Sequence, residues 1–240
     1  MKLFTAMLAS ILAMLASVHA DWQSSYDSLL QKYVKPEGVP YKTWQANRAD
    51  RTALKKVVNG VASQNLKGMN KDQKLAFYLN AYNAWILHTV IENYPVKSIK
   101  DIRFLVFRRN SIKVAGKVTS FHKLENDIIR KQFKEPRIHF ALNCASASCP
   151  PLHHRAFTAE ELEVLLQKLA KSFATTPIGH WSHGGLMDVH VSKIFDWYEN
   201  DFKEDAGSIL GYLAKVRGEP YPKGAQLSFQ EYDWSLNEIK

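Results

Sequence analysis

The segment from Asp72 to about Asn93 has the amino-acid pattern of a long helix that is apolar on nearly every face. Such a helix is stable only when other elements cover all of it. It must end before Pro95, because the residue that precedes a proline is held out of the α region. We therefore expect a single α+β domain in which this central buried helix packs on a small mixed sheet, with further helices around it.

Shorter periodic segments predict the strands and one further helix of this domain. The predicted hairpin spans Ile112–Val118, and the predicted single strands span Met187–Ser192 and Leu227–Phe229. Thr119 or Ser120 is placed to cap a helix that runs from Phe121 to about Phe133.

Two asparagines interrupt the apolar central helix. Asn80 and Asn83 are three residues apart and so lie on one face of the helix. A buried amide without partners costs roughly 1–3 kcal/mol, so each should hydrogen-bond to a neighbouring segment. Either they fasten the helix to a loop, or one of them orients a histidine or lines a pocket.

Both cysteines and one histidine fall within the segment Arg137–Pro151. Ile138–Leu142 is apolar apart from His139, and a run of small residues and a Pro-Pro pair follow. This pattern predicts a buried strand that leads into a tight loop carrying Cys144 and Cys149. We expect the central helix to pack against this strand.

The first 20 residues have the pattern of a secretory signal peptide. Lys2 precedes an apolar core, Leu3–Ser17, which is shorter than the roughly 20 residues needed to cross a bilayer. The small-residue site Val18-His19-Ala20 predicts cleavage before Asp21. We expect a soluble periplasmic or secreted protein without a transmembrane anchor, in which residues 21–240 form the one domain.

Two states of the cysteines are open at this point. Outside the cytoplasm, Cys144 and Cys149 can close as a disulfide if the loop brings their Cα atoms to roughly 4.4–6.8 Å. If they are free, Cys149 is the better nucleophile. It precedes Pro150, which is suited to the first position of a helix, and a helix dipole there would lower the pKa of the thiol.

The remaining residues of such a thiol site can also be named. His139 would act as the base, with Glu125, Asn80 or Asn83 orienting it; Glu125 shares a helix face with His122. Cys144 is disfavoured, because in an extended strand it would lie on the face opposite His139 and roughly 16 Å away.

Several motifs together give the chain a resemblance to a known family. They are Phe77–Ala84, Leu124–Arg130, Pro136–Cys144, Ser148–Leu152 and Tyr232–Asn237. The chain resembles the DUF547 family, which is defined by sequence and has no assigned function. The family usually has a glycine where this chain has Ala145. Its cysteine and histidine suggest an analogy with papain-like and transglutaminase-like thiol enzymes.

Composition and motifs limit the ligands and cofactors. The formal net charge is +9, but the lysines are spread along the chain and there is no nucleic-acid motif, so a nucleic acid is not an expected partner. Phosphate-binding glycine loops, Gly-x-Ser-x-Gly and His-Glu-x-x-His are absent. We expect no cofactor, and a ligand that is a small molecule or peptide-like; the sequence identifies no protein partner.

Three functions are consistent with these residues. The first is a cysteine-dependent hydrolase or acyl transferase. The second is a periplasmic protein that binds a small ligand or a glutathione-like thiol without catalysis, since accessible thiols outside the cytoplasm are readily captured as mixed disulfides. The third is a metal site on His153-His154, His180, His183 or His190, but none of these has a recognised zinc spacing with the cysteines, so we expect no metal.

Overall fold

The protein is described here from a computed structural model that covers residues 22–102, 106–175, 180–183 and 186–239. The predicted signal peptide and its cleavage site lie outside these residues. The first helices are α1 (residues 22–33), α2 (Tyr41–Ala46), α3 (Arg48–Ser63) and α4 (Lys71–Asn93).

The middle of the chain consists of short helices and strands. They are a 3-10 helix (Ile99–Asp101), the hairpin strands β1 (Ile112–Val114) and β2 (Lys117–Thr119), α5 (Phe121–Lys123), a π-helix (Leu124–Arg130), α6 (Lys131–Phe133) and a second 3-10 helix (Pro136–Phe140). The last elements are α7 (Leu162–Thr175), β3 (His180–His183), β4 (Leu186–Val191), α8 (Lys193–Trp197), α9 (Glu199–Ala206), α10 (Ile209–Arg217) and β5 (Gln226–Phe229).

Helix α4 is the central buried helix that the sequence predicts. The side chain of Asn70 caps its start, and Gln73 returns the bond to the Asn70 backbone. The helix ends at Asn93, where Tyr94 is extended before Pro95, as the proline predicts. Helices α2 and α3 and the π-helix lie against α4. Together they form the larger of two buried apolar clusters.

A small mixed sheet covers the second apolar cluster. Strand β4 pairs antiparallel with β3 and parallel with β5. Val189 and Val191 of β4 are buried beside Phe195 and Phe202, and Leu169 of α7 packs against both clusters. The predicted single α+β domain with a small mixed sheet is confirmed, although helices rather than that sheet supply most of the cover of α4.

The predicted strand at Ile138–Leu142 is wrong, because the chain forms a 3-10 helix there, Pro136–Phe140. Pro136 occupies its first position, and the Glu135 side chain accepts the backbone N–H of Arg137. These two features start a helix locally. Periodicity could not detect them, since a short apolar run fits a buried strand and a buried helix equally well.

The helix predicted to start at Pro150 is also absent. Residues 150–161 contain no helix, and α7 begins only at Leu162. Cys149 therefore has no helix dipole behind it. None of the helices in the described part of the chain has the length and apolarity needed to cross a membrane.

Candidate functional site

A cavity of about 270 Å³ opens beside the two cysteines. It lies between α4, the π-helix, the cysteine loop (residues 143–150), α8 and the C-terminal segment after β5. The residues that line it are Tyr82, Phe107, His122, Glu125, Asn126, His139, Leu142, Cys144, Cys149, Ile194, Trp197, Tyr198, Tyr232 and Trp234. Four of the predicted site residues, Cys149, His139, Glu125 and Cys144, therefore face one cavity.

The two asparagines of α4 do not line this cavity but hold the loops that shape it. Asn83 donates to the carbonyl of Ala141 at 2.9 Å and accepts the backbone N–H of Asn143 at 2.9 Å. Asn80 makes the same pair of bonds to the backbone of Phe157, at 2.8 and 2.9 Å. Contact between α4 and the segment that follows His139 is thus present, and both amides satisfy their hydrogen bonds by fastening loops.

The cysteine loop closes on itself through Asn143. Its buried side chain donates to the carbonyl of Pro150 at 2.8 Å and accepts the N–H of Ala145 at 2.8 Å. The C-terminal segment then pairs with the loop, since Ala147 N–H donates to Ser235 and Asn237 N–H donates to Ala145. The loop is held from both sides.

Cys144 and Cys149 are joined in a disulfide, with their Cα atoms 6.3 Å apart. Three donors surround Sγ of Cys149: the backbone N–H of Cys144 at 3.0 Å, the hydroxyl of Tyr232 at 3.1 Å and the hydroxyl of Ser146 at 3.6 Å. Burial raises the pKa of Tyr232 to about 12, although the bond to Ser146 opposes the rise. Tyr232 is therefore protonated at neutral pH and can donate.

His139 is buried and held by an acidic partner. Its Nε2 lies 2.7 Å from Oδ2 of Asp201, and Arg130 binds both oxygens of that carboxylate at 2.7 Å. Burial lowers the pKa of His139 more than the bond to Asp201 raises it, so the ring is neutral at pH 7 and donates through Nε2. Burial alone would raise the pKa of Asp201, but the bonds from His139 and Arg130 outweigh it and hold that pKa well below its ordinary value.

Aromatic rings fix the plane of the imidazole. Tyr198 stacks on His139 with ring centroids 3.8 Å apart, and Phe202 lies 5.6 Å away. The Tyr198 hydroxyl donates to Glu125, and burial together with that carboxylate raises the pKa of Tyr82. Burial and the neighbouring carboxylate both raise the pKa of Tyr198, so the hydroxyl remains a donor.

The π-helix directs several of these groups toward the cavity and Asp201. Glu125 and Asn126 face the cavity, and Arg130 reaches Asp201 from the same seven-residue element. An i→i+5 turn widens the helix and redirects side chains, which is why π-turns are frequent at functional sites. His122, predicted to share a face with Glu125, also lines the cavity and contacts Asn126 through Nδ1 at 3.2 Å.

The prediction that His139 and Cys144 lie far apart loses its basis. It assumed an extended chain at 3.2–3.4 Å per residue, whereas the 3-10 helix and the following turn bring both residues to the same cavity.

Sequence reasoning missed Asp201, Arg130, Tyr198 and Ser146. Tyr198 and Asp201 are three residues apart, yet nothing local distinguishes this carboxylate from the other acidic residues. Tyr232 was part of a quoted motif, but its approach to the sulfurs depends on the tertiary fold.

Comparison with known proteins gives one match. Residues 66–174 match the family described as "Protein of unknown function, DUF547". This segment of the chain is a DUF547 domain. The match includes four of the five motifs quoted above and both cysteines; Tyr232–Asn237 lies beyond it. No curated protein and no solved structure matches the chain.

The departure from the DUF547 pattern at Ala145 has a visible consequence. Ala145 has a φ of 62°, in the left-handed region that favours glycine. The residue is fully buried, and its N–H and C=O bond to Asn143 and Asn237. These contacts hold alanine in the conformation that a glycine would adopt more readily.

Proposed function

We propose that the reduced protein is a cysteine-dependent hydrolase or acyl transferase in which Cys149 attacks the acyl group. The observation that carries the proposal is the donor set around Sγ of Cys149, namely the N–H of Cys144 and the hydroxyls of Tyr232 and Ser146. Hydrogen bonds to an anion favour its charged form, so they would stabilise the thiolate that serves as nucleophile.

His139 is the acid–base group of this proposal. Its Nε2 is engaged with Asp201, which leaves Nδ1 as the nitrogen that can exchange a proton. A neutral imidazole whose orientation is fixed by a carboxylate is the arrangement that general-base catalysis requires. Asp201 and its partner Arg130 are positioning residues, since they act through His139.

The chemistry divides into two steps. Neutral His139 first takes the proton of the Cys149 thiol; the resulting thiolate bonds to the acyl carbon, and the bond to the leaving group breaks as protonated His139 gives that group this proton. Neutral His139 then takes a proton from water or from an acceptor hydroxyl or amine, whose oxygen or nitrogen displaces sulfur from the thioester. The products are an acid or a transferred acyl group and the regenerated thiolate.

The disulfide must open before the first step. A thiol or dithiol reductant from outside the chain supplies the two electrons, becomes oxidised to its own disulfide, and leaves Cys144 and Cys149 as thiols. Both cysteines are half-buried and face the cavity, so a small reductant can approach them.

A comparison of two serine variants tests the assignment. After treatment with dithiothreitol, Cys149 should react with iodoacetamide near pH 6 faster than a model thiol, and Cys144 should react slowly. Cys149→Ser should abolish turnover of a p-nitrophenyl acyl ester. Cys144→Ser keeps the backbone N–H that faces Cys149 and should retain turnover without any reductant.

Two results would overturn the enzyme assignment. One is equal, slow alkylation of both cysteines, or an alkylation rate of Cys149 that His139→Ala leaves unchanged. The other is ester turnover that survives in Cys149→Ser.

The disulfide itself favours a second candidate function. A cystine in an aromatic cavity can exchange with a small thiol and hold it as a mixed disulfide, as in a periplasmic thiol-binding protein. Incubation with reduced and oxidised glutathione, followed by intact-mass measurement, separates the candidates. A stable adduct without ester turnover supports binding alone.

The proposal includes export. Its support is the sequence of residues 1–20, with one positive residue, a short apolar core and Val18-His19-Ala20 before the cleavage point. An oxidising compartment is also where a disulfide such as Cys144–Cys149 persists.

A further inference from the structure

Six aromatic rings of phenylalanine, tyrosine and tryptophan line the cavity beside the disulfide. They belong to Tyr82, Phe107, Trp197, Tyr198, Tyr232 and Trp234. Trp197, Tyr232 and Trp234 form a cluster at the cavity. The ring centroids of Trp197 and Tyr232 are 4.7 Å apart, and those of Tyr232 and Trp234 are 4.6 Å apart. Trp197 is 42% exposed, which leaves part of its ring available to a ligand.

The same cavity contains one carboxylate, that of Glu125. Its hydrogen-bond partner is the hydroxyl of Tyr198, and within the described part of the chain it makes no ion pair with a lysine, arginine or histidine. The hydroxyl solvates the charge without neutralising it. The cavity therefore keeps an uncompensated negative charge.

The other charged and titratable groups around the cavity do not change this sign. Asp201 is balanced by Arg130, and His139 is neutral at pH 7 because burial lowers its pKa. His122 lines the cavity and contacts Asn126. Lys100 lies at the edge, exposed to solvent, where water and salt screen its charge.

The protein's own cations already use two of these ring faces. Nζ of Lys100 lies 3.5 Å from the ring centroid of Trp234, and the guanidinium carbon of Arg130 lies 5.0 Å from that of Tyr198. Tryptophan and tyrosine faces attract cations through their negative quadrupole, and rings grouped around a carboxylate are suited to an alkylammonium group.

We infer that this cavity binds an alkylammonium group, so that the substrate or ligand carries a cationic amine close to its reacting acyl group. The inference of a substrate rests on the proposed function, but binding of the cation does not. An anionic ligand would meet the carboxylate of Glu125, and a neutral ligand would leave that charge desolvated and unpaired.

A binding experiment on the oxidised protein tests the inference independently of catalysis. The probe is choline, and its neutral counterpart is 3,3-dimethyl-1-butanol, which has the same shape without the charge. Calorimetry, supported by tryptophan fluorescence, should show choline binding at least about tenfold more tightly than the alcohol.

Three variants locate the site. Glu125→Gln removes the charge and keeps the hydrogen-bonding shape, and Trp197→Leu removes the exposed ring; each should weaken choline binding by about tenfold. Asp127→Asn is the matched control, because Asp127 lies on the same π-helix, outside the cavity and paired with Lys131. It should leave choline binding unchanged.

The outcomes are distinguishable from those of the enzyme assay. Equal affinity for choline and the alcohol, no binding of choline, or an equal loss in Asp127→Asn would each overturn the ammonium site. If Glu125→Gln does not fold, Trp197→Leu decides, since the exposed ring contributes little to the core. Choline binding without ester turnover would leave this inference intact and remove the proposed enzyme.

Discussion

The hydroxyl oxygen of Tyr232 lies 3.1 Å from Sγ of Cys149, although the two residues are 83 positions apart in the chain. Backbone bonds from Ala147 to Ser235 and from Ser148 to Asp233 hold the C-terminal segment in this place. The segment after β5 therefore completes the candidate site as well as covering the cysteine loop.

Removal of this hydroxyl should raise the pKa of the reduced Cys149 thiol. Tyr232→Phe deletes one donor to the sulfur, and we expect the midpoint of the pH–alkylation profile to rise by about one unit, equivalent to about 1.4 kcal/mol. The measurement is the iodoacetamide rate between pH 4 and 9 in reduced protein. Tyr78→Phe, outside the cavity, is the control. Superimposable profiles for wild type and Tyr232→Phe would exclude the tyrosine from thiolate stabilisation.

Asp201 should contribute to stability as well as to the orientation of His139. Asp201→Asn leaves Arg130 without its anionic partner, and because the pair is partly exposed we expect a loss of about 1–3 kcal/mol, below the 3–5 kcal/mol typical of fully buried pairs. Urea denaturation measures the loss. Glu199→Gln, in the same helix and in an exposed pair with Lys203, should cost less than about 0.5 kcal/mol. Similar losses in the two variants would contradict this role.

The elements predicted correctly are those whose signals are local. The all-round apolar pattern predicts the start of α4 to within one residue, and Pro95 predicts its end. The side chain of Ser120 caps α5 as expected. The hairpin β1–β2 and the strands β4 and β5 also follow from short-range patterns. Each depends on residues within about one turn or one hairpin, which a single sequence displays.

The elements predicted wrongly or missed depend on distant partners. The segment around His139 is too short for its periodicity to distinguish a strand from a 3-10 helix. Asp201 reaches His139 across 62 positions, so no spacing in the sequence connects them. The π-helix arises inside a segment whose pattern fits an ordinary helix, and its function becomes visible only from the groups it directs into the cavity.

Asn83 should be important for folding, because it satisfies two backbone groups where the chain enters the cysteine loop. Asn83→Ala leaves the carbonyl of Ala141 and the N–H of Asn143 buried without partners, and we expect a loss of about 2–4 kcal/mol. Denaturant unfolding measures it. Asn59→Ala, at an exposed position of α3, should not lower stability, since alanine is the better helix former. An unchanged midpoint in Asn83→Ala would show that the loop does not need this amide.

Export should shorten the chain at a defined bond. The Val18-His19-Ala20 site predicts that the protein recovered outside the cytoplasm begins at Asp21. Intact-mass measurement of that protein, with the N-terminal peptide sequenced, tests this. Ala20→Lys places a large charged residue at the cleavage position and should block processing. Full-length chain retained in the membrane fraction of wild-type cells would contradict the proposed localisation.

The stability of the folded protein should decrease as the pH falls from 7 to 5, partly because of His139. Burial lowers the pKa of His139, so the unfolded chain, whose histidines titrate near 6.5, binds a proton that the folded protein excludes. Each such histidine contributes up to about 1.4 kcal/mol per pH unit. Asp201 does not interfere, because a carboxylate with a lowered pKa loses its contribution only below the ordinary carboxyl range, near pH 4.

His139→Gln isolates this contribution, since the glutamine amide can still donate to Asp201 but cannot take up a proton. The free energy of unfolding, measured in urea at intervals between pH 5 and 7, should depend less steeply on pH in the variant than in wild type. A remaining slope is expected from His88 and His153, whose pKa values burial also lowers. Parallel curves for the two proteins would mean that the folded protein binds a proton at His139 as readily as the unfolded chain does, and a neutral base at this position would then be excluded.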